Sequence, residues 1–373
     1  MTKFSNMSKT SRKNIITLLG TFIFFSIVFL FKISGLTTNL INGMLVSVCA
    51  YMIMAVSLNL TVGILGELSL GHAGFMSIGA FTSVTVTQLL QRNIKSLTVC
   101  ILIGILCGTI AAMLAGVLIG IPVLRLNGDY LAIVTLAFGE IIKSIVNNLF
   151  LGYDENGVIF NFVKKGNKFG GEGVKEIIKG PQGITGISKY TRISPNFGYI
   201  LGCILVLLTL VIAFNLIQSR TGRAAMAIRD NRIAAESVGI HVTKYKLLVF
   251  SISAALAGMA GGLYAPNFAS ISGPKFDYNT SILILVFVVL GGLGNIRGSL
   301  IATTVITMLP EFLRGIDQYR MLFYAITLIL VMLFTNNPVL KGAMKSAFDI
   351  VAKPAKKSVD SVKSKRASKG GNK

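Results

Sequence analysis

Three groups of residues have types and spacings that could do chemistry. The first lies in "GILGELSLGHAGFMSIGAF", residues 63–81, where Glu67, Ser69 and His72 interrupt apolar sequence among glycines at 63, 66, 71, 74 and 79. Glycine lets a helix break or two backbones approach closely. An ionisable group at membrane depth is costly and usually faces the interior of a bundle. Glu67, Ser69 and His72, with Asn59 just upstream, could therefore line a solute path or hold the break together by hydrogen bonds. His72 by itself reads as a hydrogen-bonded structural histidine rather than a ligand or proton carrier. The second group is "GDYLAIVTLAFGEIIKSIVNN", in which Lys143 follows Glu140 by three residues. That spacing puts both on one helical face, where they can pair. The pair could steady the helix or line a path, and Asp129 reads as an N-cap. The third group is "SRTGRAAMAIRDNRIAAESVGIHVTKYKL". It is too polar to cross a membrane. Arg229 to Val238 reads as a short surface helix, capped by Asp230 and closed by Gly239 at the C′ position. It would offer Ala234, Ala235 and Ser237 to a partner, or serve as an ordinary connecting loop.

Catalytic and metal-binding patterns are missing. The sequence holds no G-x-x-x-x-G-K-[ST] phosphate cradle, no HExxH, no Ser/His/Asp signature and no paired-Asp metal motif. Cys49, Cys100, Cys107 and Cys203 all lie in apolar segments without a CxxC pair, which reads as buried thiols and neither a disulfide framework nor a zinc site. The expectation is a protein that is not an enzyme and needs no cofactor or metal.

The elements that must position these residues are membrane helices. Apolar residues make up 53% of the chain and charged residues 13%, about half the charge of an ordinary soluble protein. The net charge of +22 is concentrated outside the apolar segments. Positive-inside loops and contact with anionic lipid account for it without a nucleic-acid partner. Apolar segments fall at about 15–31, 37–62, 73–90, 97–120, 130–150, 197–217, 247–267, 279–293, 298–313 and 320–335. The fold class is an all-α polytopic bundle of about ten spans, with eight as the alternative. Basic residues before the first segment and ten Lys/Arg after Pro338 place both termini in the cytoplasm, which requires an even count. Residues 1–14 form a cytoplasmic N-tail and 15–338 the membrane domain. Within that domain 151–195 is an external loop and 218–246 a cytoplasmic one; 339–373 is a basic, disordered tail near lipid. An internal echo links "LTVGILGELSLGHAGFMSIGAF" to "LVFVVLGGLGNIRGSLIATTVI", both apolar, then Gly-rich, then apolar. Paired interruptions of this kind point to a central transport path.

Three blocks carry a family resemblance: "SLNLTVGILGELSLGHAGFMSIGAF", "RLNGDYLAIVTLAFGEII" and "SRTGRAAMAIRDNRIAAESVGIHVTKYKLLVFSISAALAGMAGGLYA". "VVLGGLGNIRGSLIATTVITMLPEFLR" extends them, so most of 50–335 resembles the M-type permease subunits of bacterial ABC importers for branched-chain amino acids. Urea permeases look similar in the same blocks. The resemblance implies a bacterial plasma-membrane importer. Its parts would be this chain, a second, H-type permease, two cytoplasmic ABC ATPases that hydrolyse ATP, and an external binding protein delivering leucine, isoleucine or valine. It also implies that Arg229, Asp230, Asn231, Ala234, Ala235, Glu236, Ser237 and Gly239 form the coupling element in an ATPase groove. Asn59, Glu67, Ser69, His72 and Glu140 are the candidates for the translocation path. "GPQGITGI" (180–187) resembles a family stretch at the path mouth. Glu67 departs from the Gln or apolar residue expected there, and 158–179 looks like an insertion. A secondary transporter is the competing class, with Glu67, His72 or Glu140 as the coupling group.

Overall fold

A computed structural model describes residues 9–34, 39–124, 129–154, 157–162, 175–187, 195–312 and the single positions 322, 325, 326 and 329. The chain divides into two units, Met1–Met308 and Leu309–Lys373. Of the second unit, the described residues are Leu309–Phe312, the last turn of a helix, and the four single positions, all helical.

Long apolar sequence becomes helix because only helices satisfy their own backbone groups in hydrocarbon. The helices are α1 (Lys9–Ile33), α2 (Asn39–Asn59), α3 (His72–Leu90), α4 (Leu97–Val123), α5 (Asp129–Asn148), α6 (Pro195–Gln218), α7 (Arg220–Asp230), α8 (Arg232–Ser237), α9 (Val242–Tyr264), α10 (Tyr278–Gly291) and α11 (Ile296–Phe312). Among the described residues, eight stretches are long and apolar enough to cross a membrane: 14–33, 41–65, 72–90, 97–123, 130–148, 196–218, 242–267 and 273–291. They coincide with the first eight segments expected from sequence, so the chain is an all-α, multi-pass membrane protein. The expected ninth, 298–313, appears as α11, described over 17 residues with Pro310 inside it. The expected tenth, 320–335, lies outside the described residues except at four positions, as do the tail and the core of the presumed insertion (163–174). The side chain of Asp129, the expected cap of α5, is also outside them.

Helix α9 is the central element, packed on α2, α3 and α4. The packing depends on small residues. A methyl group at Gly258 would meet Ala112 and the carbonyl of Gly108, and one at Gly79 would meet the Gly258 backbone. Backbones that close need glycine, and van der Waals packing replaces the hydrophobic effect as the force between membrane helices. The α2 span is 89% buried and the α1 span 11%. Helix α1 is therefore peripheral, with Phe22, Ile23 and Leu30 exposed.

The connection from α5 to α6, expected only as a loop, carries strands. Strands β1 (Phe150–Asp154), β2 (Gly157–Asn161), β3 (Lys175–Lys179) and β4 (Ile184–Thr185) join β5 (Ser270–Ile271) in an antiparallel sheet ordered β2-β1-β3-β4-β5. Ile184 pairs with Ile271 and Thr185 with Ser270, which fastens this connection to the one between α9 and α10. The "GPQGITGI" stretch supplies a 3₁₀ turn (Gly180–Gln182) and β4. The sheet marks one end of the bundle. The opposite end holds the α2–α3 and α10–α11 links and the surface helices α7 and α8.

Candidate functional site

The glycine break is a connection between two spans. Helix α2 continues into a π-helical turn, Leu60–Leu65, and stops at Gly66, which has φ +79°. That left-handed conformation suits glycine, and the N–H of Glu67 then returns to the carbonyl of Thr61 at 3.1 Å. Gly66 and Leu68 are exposed. The irregular backbone therefore sits at the bundle end, not within the apolar layer as the sequence suggested. An α-helix with an inserted π turn is wider and often marks a functional site.

Two cations from the neighbouring surface segment hold this break. Lys246, in the second turn of α9, donates to the carboxylate of Glu67. Their side chains are 5% and 13% exposed, so each neutralises a charge that would otherwise be stranded. Arg229, in the last turn of α7, donates from Nη1 to the carbonyl of Gly63 at 2.7 Å and also pairs with Asp230. Its stem lies against Gly66, where a Cβ would stand 2.5 Å from Arg229 Cγ. Lys246 is the last residue of the 218–246 stretch expected as a cytoplasmic loop. Its position one turn inside an apolar helix was the available signal, because a lysine there needs an anionic partner.

Asn59 joins this break to the second glycine-rich link. Its Oδ1 accepts from the N–H of Gly294 at 2.8 Å, and its Nδ2 donates to Ser299 Oγ at 2.7 Å. A Cβ at Gly63 would collide with Asn59 and with the Gly294 backbone, so the approach requires glycine there. The two segments that echo one another in sequence therefore meet in space.

His72 opens α3 and is fully buried. Its Nε2 lies 2.9 Å from Ser57 Oγ and 3.1 Å from Ser253 Oγ. Ser57 donates to the Ser253 carbonyl at 2.7 Å and Ser253 to the Ser57 carbonyl at 2.6 Å. Each hydroxyl has one proton, and both are committed. His72 must then donate from Nε2, which makes Nδ1 the unprotonated nitrogen; it has no partner. The imidazole thus ties α2, α3 and α9 together. The start of α3 lacks a side-chain cap of its own. Thr135 of α5 accepts from Leu70 N–H and Ser281 of α10 accepts from Ala73 N–H, both at 3.1 Å. Ser69 is buried with its hydroxyl unpartnered. Glu140 stands apart from this group: it pairs with Lys143 at 2.7 Å along α5, as the spacing suggested.

The surface segment is two helices in place of one. Ser219 caps α7 by accepting from Gly222 N–H. Asn231 caps α8 by accepting from Ala234 N–H at 3.0 Å, so the cap falls one residue beyond Asp230, which instead pairs with Arg229. Gly239 has φ +84°, in keeping with the expected C′ role. Arg232 and Glu236 pair at 3.0 Å, and Ser237 donates to Ala234 O. Ala235 is 4% exposed and packs with Ile228 and Val242, with Ile240 and Tyr245 beside them. It therefore faces inward, a correction to the expectation that it is offered to a partner. The side chains offered are Ile233, 80% exposed, and Val238, 75% exposed, which the sequence reading passed over. Ala234 and Ser237 are exposed as expected, and Glu236 between them is exposed as well.

The model of the family "branched-chain amino acid transport system / permease component" matches residues 40–333. The high-affinity branched-chain amino acid transport system permease protein LivM of Salmonella typhimurium is 35% identical over 291 residues, 76% of this chain. LivM of Escherichia coli K12 is 34% identical over the same length. In both cases the match spans 66% of the relative's own length, just under two thirds. The fructose import permease protein FruG of Bifidobacterium longum is 25% identical over 243 residues, 63% of this chain and 65% of its own. No solved structure matches. With a family match that runs through the glycine break, the surface helices and both glycine-rich links, this chain belongs to the branched-chain amino acid transport system permease family.

Proposed function

We propose that the chain is the membrane-spanning permease subunit of an ATP-driven importer for branched-chain amino acids. The observation that carries the proposal is the family match over 40–333 together with the 35% identity to LivM. The sugar permease FruG matches at lower identity, which favours amino acids as the cargo over sugars. Urea, the other cargo considered, has no separate support here. The chain itself performs no catalysis. Hydrolysis would lie on two cytoplasmic ABC ATPases, with a second, H-type permease completing the path and an external binding protein delivering leucine, isoleucine or valine. The protein would sit in the bacterial plasma membrane with both termini cytoplasmic. The 218–246 segment would then be cytoplasmic and the sheet around 151–195 external.

In this reading Arg229–Gly239 is the coupling element. Exposed Ile233 and Val238 would enter the ATPase groove, and Ala235 would shape the segment from inside. A path lined mainly by apolar groups would suit a conduit that must release its cargo. Among the path candidates, Asn59, Glu67 and His72 have partners that support positioning roles, and Ser69 has a free buried hydroxyl. Glu140, about one-third exposed and already paired, is the remaining candidate for lining the path. A secondary transporter would need one of these acids or the histidine to exchange protons; Glu67 and Glu140 are paired with lysines, and His72 is fully buried, which speaks for the ATP-driven reading. Reconstituted vesicles test it: leucine uptake should require ATP, both ATPases and the binding protein.

A further inference from the structure

We infer that Lys246 and Arg229 are positioning residues that carry the movement of the surface helices to the inner ends of the spans, through the glycine break and Asn59. The inference rests on the reading of 218–246 as the coupling segment. Helices α7, α8 and the start of α9 share a small core of Ile228, Ala235 and Val242, so they can move as one body. Two charged contacts on either side of α8 fasten that body to the α2–α3 link: Arg229 on the Gly63 carbonyl and Lys246 on Glu67. Arg229 lands on the π turn and packs against the left-handed Gly66, and Lys246 holds the carboxylate of Glu67, the first residue past that glycine; neither contact is made to regular helix. Such a junction can take a second arrangement at lower cost than an intact helix, and coupling needs an element of that kind. Immediately before the π turn, Asn59, the last residue of α2, holds Gly294 and Ser299, so α2 cannot shift at this end without moving the α10–α11 link. A contiguous route therefore runs from the exposed face of α8 to both glycine-rich links.

The buried pair could instead serve stability alone, and the test separates the two roles. The full importer is reconstituted in vesicles, and leucine moved per ATP hydrolysed is measured for the wild type, Lys246→Met, Glu67→Gln and the exchanged pair Glu67→Lys with Lys246→Glu. Each single variant should lower the ratio by about tenfold, within the range that coupling residues reach, while ATP turnover persists. The exchanged pair should recover most of the ratio. A ratio unchanged in the singles, or uptake and hydrolysis falling in step, would overturn the inference. A second readout does not depend on the cargo. Spin labels at the exposed positions 68 and 233 should keep their separation as nucleotide is bound and lose it in Lys246→Met. A separation that changes in the wild type, or that is kept equally in Lys246→Met, would also overturn it. If the wild type moves no leucine while the labels still travel together, the cargo assignment falls and the linkage stands.

Discussion

Asn59 and Gly294, 235 residues apart, are joined by a hydrogen bond of 2.8 Å from the glycine N–H to the asparagine side chain. The contact closes two glycine-rich links against one another at one end of the bundle. Asn59→Ala would remove the acceptor of that N–H and the donor to Ser299, whose hydroxyl keeps its bond to the Asn295 carbonyl. The expected cost is about 1–3 kcal/mol, about 0.5–1.5 kcal/mol for each of the two hydrogen bonds lost. Thermal unfolding of the purified chain in detergent checks it, and an unchanged midpoint would show that the links are held by other contacts.

Gly66 allows a sharper expectation. Its φ of +79° disfavours any side chain with a Cβ, and Arg229 fills the space that a Cβ would need. Gly66→Ala should cost about 1–3 kcal/mol in strain and also displace Arg229 from Gly63. Hydrogen exchange at residues 60–71 should rise in this variant, whereas Gly20→Ala, in open space on α1, should be silent.

The Glu67–Lys246 pair should show strong non-additivity. Removing either partner strands a buried charge and should destabilise by about 3–5 kcal/mol. Replacing both with apolar residues of similar size should cost much less than the sum. A double-mutant cycle read by thermal unfolding gives the answer, and additive effects would mean that the two charges do not sense one another.

His72→Gln should retain uptake, since the glutamine amide can still donate to the two serines. His72→Leu should lose folded protein. Loss of uptake in a well-folded His72→Gln would instead point to an imidazole that carries protons.

On the surface segment, Ala235→Phe should overpack the small core and cost about 1–3 kcal/mol. Ile233→Asp and Val238→Asp should leave stability within about 0.5 kcal/mol yet weaken association with the ATPases. Pull-down of the ATPases by the permease distinguishes the two classes of effect.

Much of this was legible beforehand, for physical reasons. The eight spans follow from apolar length, and the Glu140–Lys143 pair follows from helical spacing. The partners of Glu67 and His72 did not follow, because both depend on which helices become neighbours, and a single sequence does not encode that in any local period. Lys246 sits 179 residues from Glu67. Strands β4 and β5 were hidden because they have two residues each, too few for a period of two to show. Asp230 was read as the cap because Asp and Asn are equivalent in that role; the kink between α7 and α8 selected Asn231.

The central claim is that these helices form a passive conduit driven from the 218–246 segment. Vesicles containing this chain and its permease partner, with and without the ATPases, test it most directly under an imposed proton gradient. The account predicts leucine accumulation only when the ATPases and ATP are present, whatever the gradient. Accumulation without them, collapsing when the gradient is dissipated, would contradict it.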